Sequence, residues 1–421
     1  MQHLWKAGPV SNNTSLIVHC DGPLDPERVR RAFDRFLDFC PWPAARLRRP
    51  FPWGQLHWAA GRRPSLVAPP IRHRTLTSAA ELHAELETGL NAAIDPRHDP
   101  PLRLSVFDYT PESSRSESVV VVTWFHPLMD PRGGQNLLAH LGHLDQVDGG
   151  VPWQGSVPAF VAPPDSRPLR ERGRLGRKSQ AYMRGLVATT PVSPGTSLAA
   201  PGAIRLRQQS FLDEEPPAGG ERAAREMPRR LAVVAKAMGE LWRRRDLPDV
   251  PFLLPVSVDL RPKGDAGPTI GNVMAFHFAR FTLAQTAEVD GLARALRQQM
   301  ADAVRDGQID ANAVAMEFLK YRPLALMLHD LPGTAAGETF SFNCADLGDF
   351  PSVLEKVFGR RVVNAYHVPA VMPRPGVGVF FNRSAGRHNV VVSWIEGAVS
   401  DDEVTRIVEV VREEMGWVPT R

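Results

Sequence analysis

The stretch Ser118–Leu138, SVVVVTWFHPLMDPRGGQNLL, decides how the chain is read. Val119 to Val122 and then Thr123, Trp124 and Phe125 form a short run rich in β-branched and aromatic residues, the pattern of a strand buried on both faces. It stops at His126, where His-Pro-Leu-Met-Asp-Pro-Arg-Gly-Gly interrupts regular structure, and a helical pattern resumes at Leu137, Leu138, Leu141 and Leu144. An imidazole at the tip of a rigid strand, with the Asp130 carboxylate four residues on, suits proton transfer. With 13 histidines in the chain, a His-x-x-x-Asp spacing arises by chance roughly 0.7 times. Spacing alone therefore does not separate a catalytic histidine from a hydrogen-bonded one in a strand-to-helix turn, and the surrounding sequence has to.

Working upstream, Leu102 to Tyr109 reads as a strand that pairs with the central one, and Ser15 to Cys20 as another. Asp25-Pro26-Glu27 starts a helix, with Asp as N-cap and Pro at the first helical position, and Val29, Phe33, Phe36, Leu37 and Cys40 form its apolar face. Ser78 and Glu81 read as a capping box ahead of the stripe Leu82, Leu86 and Leu90. The first half is thus β-α-(β)-α-β-β-α, a mixed α/β unit.

Downstream, Asp145 to about residue 220 is rich in Pro and Gly, which places a domain boundary near residue 175. Residues 1–175 and 176–421 are read as two subdomains. In the second, helices are expected over Arg229–Arg245, Thr286–Val304 and after the capping box Ser400–Glu403. Strands are expected at Pro251–Leu260, at Asn272–Phe278 with Met274, Phe276 and Phe278 alternating, and at Thr339–Cys344, Gly376–Phe381 and Asn389–Ile395. An apolar segment covers Met316–His329.

Composition narrows the function. An apolar fraction of 43% and a charged fraction of 23% describe a soluble globular chain. No apolar run is long enough to span a membrane, and the first residues carry no signal-peptide pattern. Three cysteines, Cys20, Cys40 and Cys344, without pairing or ligand spacing fit a reducing cytoplasm and give no metal site. The basic excess gathers at Arg167, Arg170, Arg172, Arg174, Arg177, Lys178 and Arg184. That run is either a solvated helix or linker face or a docking patch for an anionic partner. Nothing typical of nucleic-acid binding accompanies it, and no Gly-x-Ser-x-Gly elbow or phosphate loop is present.

Several pieces together resemble the CoA-dependent acyltransferase superfamily: chloramphenicol-acetyltransferase-like enzymes, condensation domains of peptide synthetases, wax ester synthases and plant BAHD enzymes. CDGPLDPERVRRAF is similar to the family's first strand and helix, and NAAIDPRHDPPLRLSVFD to the approach to its active-site strand. WFHPLMDPRGG is similar to its His-His-x-x-x-Asp-Gly motif, with His126 at the second His and Asp130 at the Asp. PVSVDLRPKG…IGN, TFSFNCADLGDF and VVVSWIEGAVSDDEVTRIVEVV follow in the family's order.

The resemblance implies an α/β fold of two chloramphenicol-acetyltransferase-like subdomains in a V around a central tunnel, a monomer, and no bound cofactor. Acyl-CoA or a phosphopantetheinyl carrier protein is the donor co-substrate, and a small molecule with a hydroxyl or amine the acceptor. His126 is the general base, Asp130 and Arg261 a structural ion pair, and Asn272, Asn343, Gly133 and Gly134 substrate-binding candidates. Two departures matter. The family's first His is Phe125, and its Gly after the Asp is Pro131, which has no N–H to give an oxyanion. They leave open a second reading, a catalytically silent module that docks carrier proteins or other partners.

Overall fold

The computed structural model describes residues 11–51, 54, 56–60, 69–109, 116–147, 165–186, 191–197, 202–212, 220–261, 269–319, 338 and 340–420. The first half folds around β6 (Glu117–Phe125), whose neighbours are β1 (Asn13–Asp21) and β5 (Leu102–Tyr109), both antiparallel to it. The full sheet is β11-β12-β1-β6-β5-β4, with β4 at Ile71–Leu76, β11 at Lys356–Val357 and β12 at Arg360–Val368. A short hairpin of β2 (Arg46–Arg48) and β3 (His57–Ala59) stands beside it.

Both faces of β6 are covered, as its unbroken apolar run requires. Val120, Val122 and Trp124 enter the core made with α1 (Pro26–Phe39) and α3 (Pro131–Gln146). Val119 and Val121 point the other way, to Leu82, Leu86 and Leu90 of α2 (Ala79–Asn91). Asp25 caps α1, its side chain accepting from the Glu27 N–H, with Pro26 at the first helical position. At α2 the Ser78 hydroxyl accepts from Glu81, but the Glu81 carboxylate reaches back to the N–H of Thr77 rather than Ser78. The reciprocal box is therefore incomplete there.

The second sheet runs β10-β13-β14-β7, with β7 at Ile204–Leu212, β10 at Asn343–Asp349, β13 at Val377–Ser384 and β14 at Arg387–Ile395. A pair, β8 (Phe252–Asp259) and β9 (Met274–Phe281), is joined to the segment entering β10 by the Ser341 N–H on the Leu253 carbonyl. Helices α5 (Gly220–Arg244), α6 (Val289–Arg305) and α8 (Asp401–Met415) contribute to the core on one face of this sheet. Ser400 and Glu403 complete a capping box at α8. The opposite face contributes Phe380, Val391 and Ile395 to the α2 core, so one apolar layer joins the two halves.

Several elements lie outside the sequence expectations, among them β7, which falls in the stretch read as rich in Pro and Gly. Helix α3 begins at Pro131, inside the stretch read as irregular. The basic run, apart from Arg167, lies on α4 (Leu169–Leu186), one of the readings the sequence allowed; the helix contains residue 175 and packs on α7 (Gln308–Leu319). β12, from the second half of the chain, adds to the first-half sheet along β1, with Ile17 opposite Tyr366. Of the apolar segment Met316–His329, everything after Leu319 lies outside the described residues, as does Thr339.

Candidate active site

His126 follows β6 directly, in a short 3₁₀ turn over His126–Leu128. Its backbone N–H donates to the Asn12 carbonyl at 2.8 Å, the Trp124 indole donates to the Met129 carbonyl at 2.8 Å, and the Asn272 amide donates to the Pro127 carbonyl at 2.9 Å. Three hydrogen bonds, to partners at Asn12, Trp124 and Asn272, thus fix the turn.

Asp130 closes the loop. It is the N-cap of α3: Oδ1 accepts from the Gly133 N–H at 2.7 Å, and Oδ2 from the Val273 N–H at 2.8 Å and from Arg261 Nη1 at 3.0 Å. The Asp130 and Arg261 side chains are 4% and 5% exposed, so the pair is buried. Arg261 also donates to the Gly271 carbonyl at 2.7 Å and to Asp259 at 3.1 Å. A buried pair is tolerated only when its remaining donors and acceptors are matched, and these are. The carboxylate is occupied by three donors and holds the loop rather than the imidazole.

Gly133 and Gly134 do not line the cavity described below, contrary to the substrate-binding expectation. A Cβ on Gly133 would lie 1.8 Å from the Ile270 carbonyl oxygen, and one on Gly134 would lie 2.8 Å from the Trp124 ring. They let the start of α3 approach the segment before β9 and the indole beneath it. Asn272 is exposed and spends its amide on Pro127, so it too stands outside the cavity wall. Asn343 does line the cavity. Phe125 is fully buried, edge-on to Trp58 at 6.4 Å, and has no part in the site.

The cavity, about 360 Å³, lies against His126 and draws its lining from both halves of the chain. Met183, Leu253, Met274, Phe276, Phe278 and Phe380 give it an apolar wall; Asn12, His126, Ser257 and Asn343 are polar side chains in it, and among the described residues no charged side chain lines it. The alternation on β9 is the reverse of a core strand. Ala275, His277, Ala279 and Phe281 are buried, whereas Met274, Phe276 and Phe278 are half-buried and face the cavity. The signal was in the small partners: two alanines on one face allow tight helix packing, which leaves the large residues for the other side.

Burial lowers the His126 pKa, against the backbone carbonyl contacts of Met129 and His126 and the Asp130 charge, which favour the cation. Nδ1 is enclosed without a hydrogen bond of standard geometry, and His126 lines the cavity. His367 and His140 are also buried and held neutral, with pKa values lowered to about 3 and about 4 by desolvation, but neither lines the cavity. The Cys344 thiol does line it, and burial raises its pKa well above the ordinary value, so it stays protonated.

Outside the cavity, α4 exposes Arg170, Arg174, Arg177 and Arg184 at i, i+4, i+7 and i+14, one stripe of about 21 Å. None makes an ion pair with a described residue, unlike Arg172 with Glu317 and Arg167 with Asp310. The inner side of the same helix brings Met183 and Leu186 to the cavity. Among the described residues, no group of three or more His, Cys, Asp or Glu is arranged to hold a metal ion, and no helix is long and apolar enough to cross a membrane.

No family model matches the sequence, and no curated protein does. Solved structures do match over nearly the whole chain. The trichothecene 15-O-acetyltransferase of Fusarium sporotrichioides is 10% identical, with a TM-score of 0.66 over 97% of this chain and 91% of that one. The starter condensation domain of rhizomide synthetase, in complex with C8-CoA, is 13% identical with a TM-score of 0.63, covering 99% and 91%. The wax ester synthase/diacylglycerol acyltransferase of Marinobacter aquaeolei is 13% identical with a TM-score of 0.56, covering 99% and 96%. With two α/β halves joined across an apolar layer and a histidine-bearing turn where they meet, the chain has the fold shared by these condensation domains and acyltransferases.

Proposed function

We propose that the chain is an acyltransferase that moves an acyl group from a CoA or carrier-protein thioester to a hydroxyl or amine, with His126 as general base. The observation that carries this is the His126 imidazole, buried on its Nδ1 side and set in the wall of a largely apolar cavity, where desolvation lowers its pKa. His126 Nε2 takes the proton of the acceptor as its oxygen or nitrogen attacks the thioester carbonyl. The C–S bond then breaks, and the proton passes from the imidazolium to the departing thiolate. Cys344, protonated and desolvated, is not poised as a nucleophile, which supports direct transfer without an acyl-enzyme.

Pro131 lines the cavity and has no N–H, so the helix start gives no donor there for the developing oxyanion. The Asn343 amide makes no hydrogen bond to another described residue and is our candidate for that role. The exposed arginine stripe on α4 supports an anionic donor, the phosphates of CoA or an acidic carrier. Reversing Arg170, Arg174 and Arg177 is expected to slow transfer from that donor and spare a pantetheine thioester.

The test is release of free thiol from acyl-CoA and acyl-pantetheine donors over a panel of alcohols and amines. His126→Ala should lower transfer by about 10²–10⁴-fold with the thermal midpoint unchanged. Equal transfer by the variant and the parent refutes the assignment. No transfer by the parent with any donor favours a silent docking module instead.

A further inference from the structure

Phe276 and Phe278 reach into the cavity, and their own backbone groups face the unpaired edge of a two-stranded ribbon. Among the described residues β9 pairs only with β8, where Phe278 stands opposite Pro255 and Phe276 opposite Ser257. Proline fits there because this is a pair that exchanges no hydrogen bonds, its missing N–H lying on the side away from β9. The same geometry turns the N–H and C=O of Phe278 outward, with no strand to receive them.

A single side-chain oxygen receives both. The Tyr182 hydroxyl accepts from the Phe278 N–H at 3.1 Å and donates to the Phe278 carbonyl at 3.2 Å. One step along, the Asn312 amide donates to the Phe276 carbonyl at 2.7 Å, and its own oxygen is held by Ser179 and Gln308, each at 2.8 Å. Helices α4 and α7 therefore stand in for the missing strand with side chains. Met183, the residue after Tyr182, is itself part of the cavity lining.

From this we infer that Tyr182 is a positioning residue that fixes the Phe276–Phe278 wall and so sets how long an apolar acyl chain the cavity accepts. The inference rests on the acyl-transfer reading for the identity of the ligand and on nothing in the chemistry at His126. The ligand class follows from the lining: among the described residues no charged side chain lines the cavity of about 360 Å³, which suits an uncharged hydrocarbon chain.

The probe is a series of S-acyl pantetheines from acetyl to decanoyl, with binding read by calorimetry and transfer by thiol release. In the parent protein, affinity is expected to rise about four-fold per methylene until the cavity is full. In Tyr182→Phe, which keeps the ring and removes the hydroxyl, the gain per methylene should fall below about two-fold while acetyl binding stays within about two-fold of the parent. Hydrogen exchange should quicken at the Phe278 amide and not at Ala275 or Ala279. A variant with the parent's slope and longest accepted chain overturns the inference. So does a parent series with no dependence on length, or rapid exchange of the Phe278 amide in the parent, a measurement that needs no variant to fold. A length-dependent binding series without transfer would instead sink the acyltransferase reading and leave Tyr182 in its role.

Discussion

The turn that carries His126 is held by charge, through Asp130 and Arg261, whereas the β9 wall of the same cavity is held by neutral groups, through Tyr182 and Asn312. The first arrangement is close to all-or-none. Removing a buried carboxylate with three donors strips the Gly133 and Val273 N–H groups of their acceptor and leaves the buried Arg261 cation with only the half-exposed Asp259, among the described residues, as counter-charge. The second is adjustable, because a neutral hydroxyl bonded to the N–H and C=O of one residue leaves no unpaired charge when it is lost. The contrast suits a site in which a base must stay in place while the surface beside it selects among substrates.

Four perturbations probe that contrast, in descending order of expected effect. Asp130→Ala should cost about 3–5 kcal/mol in urea unfolding. Arg261→Ala should cost less, because Asp130 keeps the N–H groups of Gly133 and Val273. Equal costs would mean that the ion pair, not the cap, dominates. Next comes acidity. The pKa values of His126, His140 and His367 are all lowered in the fold, so the unfolded chain binds protons that the folded chain does not as pH drops below the ordinary histidine value of about 6.5. Their contribution to stability is therefore present above that pH and lost toward the folded values, about 4 for His140 and about 3 for His367. The urea midpoint should fall steadily between pH 7 and pH 5, and a flat profile would contradict neutral burial. Transfer should likewise persist to lower pH than a solvent-exposed imidazole allows. The smallest effect belongs to Asn272→Ala, which removes one exposed hydrogen bond to Pro127 and should cost about 0.5–1.5 kcal/mol. If it lowers transfer far more than stability, the turn tolerates less play than its other anchors suggest.

Local pattern and local chemistry were enough for β6, for the caps at Asp25 and Ser400, and for the resemblance that the chain's motifs carry, because each rests on residues a few positions apart. The alternation at Met274, Phe276 and Phe278 was legible as a strand, but not which of its two faces was core, since period-two patterning does not say what lies on either side. The glycines after Asp130 looked like substrate contacts and turned out to be clearances for the Ile270 carbonyl and Trp124, both brought there by packing. The polar helix α4 had no apolar stripe to reveal it; its place comes from Tyr182 on β9 and Ser179 on α7.

The sequence by itself determined a mixed α/β chain with a histidine at the end of a buried strand, because strand and cap preferences are properties of neighbouring residues. Only the tertiary structure decided that Asp130 also takes the Val273 N–H, that β12 completes the first-half sheet, and that the large residues of β9 line a cavity. Those outcomes depend on contacts between segments more than a hundred positions apart, as with Asp130 and Val273, 143 positions from one another. No periodicity records such pairs, and burial and hydrogen-bond matching settle them only once the segments have packed.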